Sequence, residues 1–251
     1  NQWEQAEDSM YTLCGKDRIH PSTDGHLVMA YLFLKAQGLA GKPVADIRID
    51  GAGKKVTRSD NCRVSDLSVS SDNLTFTYEA KSLPYPIDTS YYDNEKHTQA
   101  DALSVIPFMD EMNYEGLSVS GLSDGYYGLT IGGEFIGRFT ARELERGINM
   151  ALLQNTPQYK QAMKIRQMNE ERWLKERKMR EFYWVEYNLM RKTGMLWACN
   201  EAAVDTLRKY RPHDIFLQWN GDLWLQYMHK GIREDCVNEQ QDLVNQIYEQ
   251  N

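Results

Sequence analysis

The 251-residue sequence has no apolar run long enough to cross a bilayer as a helix. Its longest run, Leu27 to Leu34, has the length of a core helix. Cysteine is scarce. Cys14, Cys62, Cys199 and Cys236 lie far apart with no Cys-x-x-Cys, which argues against a disulfide framework and a zinc site and leaves buried thiols as the default. The five histidines do not cluster. His97 falls in a polar loop, and His213 and His229 fall in a helical tail, where structural or solvated roles are expected. Positive charge is not in excess. A net charge of -7 and a pI near 5.3 argue against a binder of nucleic-acid backbones. The length is enough for a real core and for one or two domains.

Against these absences stands one dense stretch, Asp17-Arg18-Ile19-His20-Pro21, with Gly25 and His26 close behind. It leads into the apolar helix. Pro21 fixes its own φ and disfavours helical geometry at His20. Ser22, Thr23 or Asp24 can cap the helix that follows. His20 is therefore expected just ahead of a helix start. A carboxylate reaching its Nδ1 would hold one tautomer and leave Nε2 to take a proton. The alternative is a surface turn with His20 solvated and Asp17 paired to Arg18.

Three zones follow along the chain. Residues 1–40 read as helix, loop and helix, with Trp3–Tyr11 forming the first helix and Gly38 ending the second. Residues 41–139 read as β-rich, with alternation in 45–50 and 73–78. Residues 84–101 form a long ordered loop in this reading. Its Tyr85, Tyr91 and Tyr92 either line a sugar-binding surface or pack the loop. Residues 140–251 read as helical. Thr140 to Glu143 is a capping box, and Thr156-Pro157 is an N-cap with Pro at the first helical position. A long helix is expected from about Pro157 to Lys192, with mixed charge on a solvated face. Thr193-Gly194 breaks it, and helices over 196–210 and 213–248 follow, separated by Arg211-Pro212.

Gly121-Leu122-Ser123-Asp124-Gly125 matches Gly-x-Ser-x-Gly, a nucleophile pattern that requires a strand before it and a helix after it. Here both flanks are β-like, and Asp-Gly is a hairpin signal. Ser123 is expected to be a turn residue. Strands 115–120 and 126–131 are expected to form a hairpin, with 134–138 extending it.

The Asp-x-x-His-Pro-x-x-x-Gly-His pattern ahead of an apolar helix resembles the last conserved block of the SGNH (GDSL-type) hydrolases. Further pieces of the chain resemble one branch of that family seen in secreted bacterial proteins. They are Ala36-Gln37-Gly38-Leu39, Ser82-Leu83-Pro84-Tyr85-Pro86, Gly121-Leu122, Tyr127 to Ile131, Glu143-Leu144, Gly147 to Ala151, and Asn155 to Gln158. The likeness runs over most of residues 10–190. It implies that Asp17 orients His20 and that His20 is the general base of a Ser-His-Asp triad. It also implies acyl transfer without a metal or organic cofactor, on an ester substrate such as an acetylated carbohydrate, in the periplasm or outside the cell.

The family's blocks carrying the nucleophilic Ser and the oxyanion-hole Gly and Asn lie upstream of Asp-x-x-His. Sixteen residues precede Asp17 here, and they contain no Gly-Asp-Ser. The expectation is thus the C-terminal part of a longer hydrolase, inactive alone, that self-associates or joins its missing N-terminal half. The expected fold is α+β: a C-terminal remnant of an SGNH α/β domain over 1–40, a β-rich accessory domain over 41–139, and a helical hairpin or bundle over 140–251. The competing expectation is a noncatalytic module that binds glycan or a partner protein.

Overall fold

The structure, a computed structural model, describes residues 12–15, 17–71, 73–90 and 97–250. The expected opening helix Trp3–Tyr11 and the side chains of Tyr91 and Tyr92 lie outside that set. The fold is mixed α+β, with small sheets and a helical C-terminal region. It divides into two compact units, Asn1–Met163 and Lys164–Asn251. Among the described residues, no helix is long and apolar enough to cross a membrane.

In the first unit, α1 (Thr23–Ala36) buries Leu27, Val28 and Tyr31 at i, i+1 and i+4. They pack with Ala102 and Ile106, from and just beyond the 3-10 turn Gln99–Ser104, and with Phe108 of α2 (Phe108–Glu111). Thus part of the apolar helix is covered by this chain's own residues. Its other face is not: Met29, Leu32 and Phe33 are 58%, 56% and 64% exposed. Gly38, at φ +74, turns the chain away after the last helical turn.

The central sheet has the order β2-β1-β5-β8, from β1 (Ala45–Asp50), β2 (Lys55–Asp60), β5 (Glu115–Ser120) and β8 (Ile148–Asn149). Strands β1 and β5 are parallel, with Ile47 opposite Leu117 and Ile49 opposite Val119. These four side chains are buried and form the centre of the unit's larger core. Two separate hairpins supply partly buried side chains to that core: β3 (Cys62–Val69) with β4 (Leu74–Ala80), and β6 (Tyr126–Ile131) with β7 (Glu134–Thr140).

The expected pairing of 115–120 with 126–131 is therefore corrected. β5 pairs with β1 and β8, and β6 turns back on β7 through Gly132-Gly133, at φ +60 and +86. A two-residue turn with two positive φ values matches the twist of a hairpin better than the five-residue Gly121–Gly125 link does. The Thr140–Glu143 capping box forms as expected and opens α3 (Ala141–Arg146).

The long helix α4 (Pro157–Val185) begins at the expected proline, and Thr156 Oγ1 accepts the N–H of Tyr159. Beyond Val185 it widens into a π-type segment, Glu186–Met190. In the second unit, α4 carries the ion pairs Arg166–Glu170, Arg172–Glu176 and Arg177–Glu181 at i,i+4 spacing. Its other face buries Met179, Phe182 and Val185.

The rest of the unit is α5 (Glu201–Tyr210), α6 (Ile215–Tyr227) and α7 (Lys230–Glu249). These helices contribute Leu207, Trp224 and Cys236 to the same core. Two boundaries differ from expectation. Residues 196–200 are loop, because Asn200 caps α5 by accepting the N–H of Ala203. The segment 213–248 breaks at Met228-His229, where Arg233 donates to the carbonyls of Tyr227 and Met228 and so substitutes for helix continuation.

Candidate functional site

The chain from Leu13 to Ser22 doubles back on itself. Ser22 N–H donates to Leu13 O, Gly15 N–H to His20 O, and Cys14 and Pro21 form an isolated antiparallel bridge. Arg18 takes a left-handed φ of 59° at the tip. This closes a short loop whose polar centre is Asp17. Its Oδ1 accepts the backbone N–H groups of Ile19 and His20 at 2.9 and 3.0 Å. Its Oδ2 lies 2.5 Å from Nδ1 of His20.

The hydrogen bond to His20, followed by the two backbone N–H groups, holds the Asp17 carboxyl down at about 2. Asp17 is thus ionised across the physiological range and fixes Nδ1 of His20 as a donor. The His20 side chain is 82% exposed, and that of Asp17 48%. The loop therefore pairs Asp17 with His20 and not with Arg18, and it presents the outer edge of the imidazole to solvent.

Gly25 explains how the loop is seated on α1. A Cβ there would lie 2.0 Å from the carbonyl oxygen of Leu13. Glycine lets the first turn of the helix meet the returning chain backbone to backbone. Beneath the loop, Ser22 and Asp24 are buried. Asp24 Oδ1 accepts from the Ser22 hydroxyl and from Gly25 N–H. Asp24 Oδ2 has no hydrogen-bond partner among the described residues, and Nδ1 of His97 stands 3.9 Å away. Sequence reasoning placed Asp24 among the possible caps and His97 in a polar loop. It missed that the two approach each other, because nothing in local spacing joins residues so far apart in the chain.

A second buried carboxyl lies at the start of β5. Glu115 is fully buried, and its Oε1 accepts the hydroxyl of Tyr78 at 2.9 Å. Oε2 has no partner among the described residues. Burial pushes Glu115 up to about 7 against the opposing effect of the Tyr78 hydrogen bond. The Tyr78 hydroxyl is itself pushed up by burial and by the neighbouring Glu115.

Ser123 sits in the Gly121–Gly125 link between β5 and β6, with strands on both sides, and its carbonyl accepts the Tyr127 hydroxyl. No imidazole hydrogen-bonds Ser123 among the described residues. The link borders a cavity of about 630 Å³ whose wall includes Phe76, Leu117 and Phe139 and whose rim includes Ser70, Asn73 and Asp124. Tyr85 packs its loop: its ring meets Phe108 edge-on, and its hydroxyl accepts from Gln99. Among the described residues, no cluster of three or more His, Cys, Asp or Glu forms a metal site. All four cysteines are free, and Cys199, expected to be buried, is exposed because it stands in the loop before α5.

Residues 163–251 match the family described as the diltiazem deacetylase C-terminal helical domain. That span coincides, to within one residue, with the second compact unit. The whole fold is similar to a solved structure described as BT4096, a gut microbial diltiazem-metabolizing enzyme. The TM-score is 0.93 and the identity 41%, over 99% of this chain and 56% of that one. The chain thus spans a little over half the length of that relative. No curated protein matches it.

Proposed function

We propose that these residues are the histidine-bearing part of an SGNH-type serine ester hydrolase that removes acetyl or similar acyl groups. The observation that carries this reading is the 2.5 Å contact between Asp17 Oδ2 and His20 Nδ1 on a loop that exposes the imidazole. Asp17 keeps the ring in one tautomer and stabilises the imidazolium. His20 Nε2 takes the proton of an attacking serine hydroxyl and returns it to the leaving alcohol. The serine and the oxyanion donors come from sequence outside these 251 residues. The likeness of residues 163–251 to the C-terminal helical domain of diltiazem deacetylase supports removal of an acetyl group. An acetylated carbohydrate substrate and a periplasmic or extracellular setting follow from the sequence resemblance.

The test uses the full-length protein and an activated acetyl ester. His20→Ala should lower kcat by about three to six orders of magnitude, and Asp17→Asn by somewhat less, with the fold intact because the loop is exposed. The 251 residues alone should show negligible turnover and no labelling by a serine-directed fluorophosphonate. Full activity without His20 would refute the assignment. Stoichiometric labelling of Ser123 would place the chemistry in the Gly121–Gly125 link instead.

The cavity bordered by Ser70, Asn73 and Asp124 favours a second reading, a glycan-binding module without catalysis. Retention on an immobilised glycan, lost in Asn73→Ala, would support it. No retention of the natural protein would exclude it, and equal retention of both proteins would take the glycan away from this cavity.

A further inference from the structure

We propose that Cys199 and His229 form a reactive thiol–imidazole pair that takes a small disulfide bearing an apolar or aromatic substituent. The site lies wholly within the second unit and is independent of the Asp17–His20 loop.

Cys199 Sγ stands 3.1 Å from His229 Nδ1, and both residues are exposed. The other cysteines differ: Cys62 and Cys236 are buried, and Cys14 is partly buried. The frame that holds the pair is well bonded. The buried carboxyl of Glu186 accepts the backbone N–H of Trp197 at 2.9 Å and the indole N–H of Trp224 at 2.8 Å. This holds Trp197 at a left-handed φ of 63°, two residues before Cys199. Asn200, the next residue, is tied down as the cap of α5. On the other side, His229 is the N-cap residue of α7 and follows the two carbonyls that Arg233 holds. Sulfur and nitrogen are therefore positioned before any ligand arrives.

Cys199 lines an open groove of about 570 Å³, whose walls include Met179, Tyr183, Trp197, Met228 and Val237. Of the charged groups in its lining, Lys230 pairs with Glu234, and Arg233 donates through Nη1 to two backbone carbonyls and lies over the Phe182 ring. The rest of the wall offers apolar and aromatic contact. A disulfide with an apolar substituent fits both features.

In the reaction, the Cys199 thiol gives its proton to His229 Nδ1 as the sulfur attacks one sulfur of the disulfide. A new S–S bond forms and the original one breaks. The departing thiolate takes the proton back from His229. Cys199 is oxidised to the mixed disulfide, and the departing half is reduced to a thiol.

The test is the rate of modification in the full-length protein, with the modified residue located by mass spectrometry. The probes are dithiodipyridine, which is aromatic and uncharged, and hydroxyethyl disulfide, which has no apolar ring. Cys199 should react with dithiodipyridine at least about tenfold faster than Cys14. His229→Gln should slow that reaction about tenfold or more. Val237→Ser, at an exposed position, should slow dithiodipyridine and leave hydroxyethyl disulfide unchanged. Circular dichroism checks that each variant is folded. A Cys199 no faster than Cys14, or an unchanged rate in folded His229→Gln, overturns the pair. Equal slowing of both probes in Val237→Ser overturns the role of the groove.

Discussion

Replacing Glu115 by glutamine should remove a pH dependence from the stability of the first unit. In the folded chain Glu115 titrates at about 7, against an ordinary value of 4.5. Below pH 4.5 the carboxyl is protonated in both folded and unfolded chains and favours neither. Between 4.5 and about 7 the unfolded chain loses this proton and the folded chain keeps it, so stability falls as pH rises. Above about 7 the loss levels off. The shift corresponds to about 3 kcal/mol, or a little over two orders of magnitude in the folding equilibrium.

Glutamine keeps the shape and an oxygen that accepts from Tyr78, and it cannot ionise. Five of the six tryptophans lie in the second unit, so fluorescence would report mainly on the wrong half. Amide hydrogen exchange of β1 and β5, corrected for the intrinsic rate at each pH, reads the first unit directly. Protection should fall by about two orders of magnitude from pH 4.5 to 8 in the natural chain and stay nearly flat in Glu115→Gln. Tyr78→Phe removes the bond that opposes the shift, so its fall should extend to higher pH. Parallel curves for the natural chain and Glu115→Gln would show that the carboxyl finds water or a partner when ionised, and the reasoning would fail.

Two further outcomes concern packing. Gly25→Ala puts a methyl 2.0 Å from the Leu13 carbonyl oxygen. It should cost about 2 kcal/mol or more and reduce amide protection at the start of α1. Leu207→Ala in the second unit, at a fully buried position, should cost about 2–5 kcal/mol in a urea melt followed by tryptophan fluorescence. A change under about 0.5 kcal/mol would mean that its neighbours close the gap.

Most of the element types were legible because their signals are local. Alternation marked 45–50 and 73–78, the Thr140–Glu143 box marked a helix start, and Pro157 marked another. Pairing was not legible where it is non-local. Nothing between Asp50 and Glu115 announces that these strands run parallel. Asp124-Gly125 sends a hairpin signal that Gly132-Gly133 answers instead. The site shows the same divide. Asp17 and His20 are three residues apart, and their contact follows from a turn and a proline. His97 beside Asp24, Tyr78 on Glu115 and His229 beside Cys199 join residues that only the folded chain brings together.

The uncovered side of α1 bears on how the protein can be handled. Met29, Leu32 and Phe33 are neighbours at i, i+3 and i+4, and each is more than half exposed. Such a stripe takes up a dye that lights on apolar surface while the fold is still intact. A dye-monitored melt of these 251 residues would start from a bright baseline and understate the transition. Polar replacement of the three side chains should darken that baseline without moving the exchange protection of β1 and β5. It would separate stickiness from instability, two properties that a thermal scan reads as one.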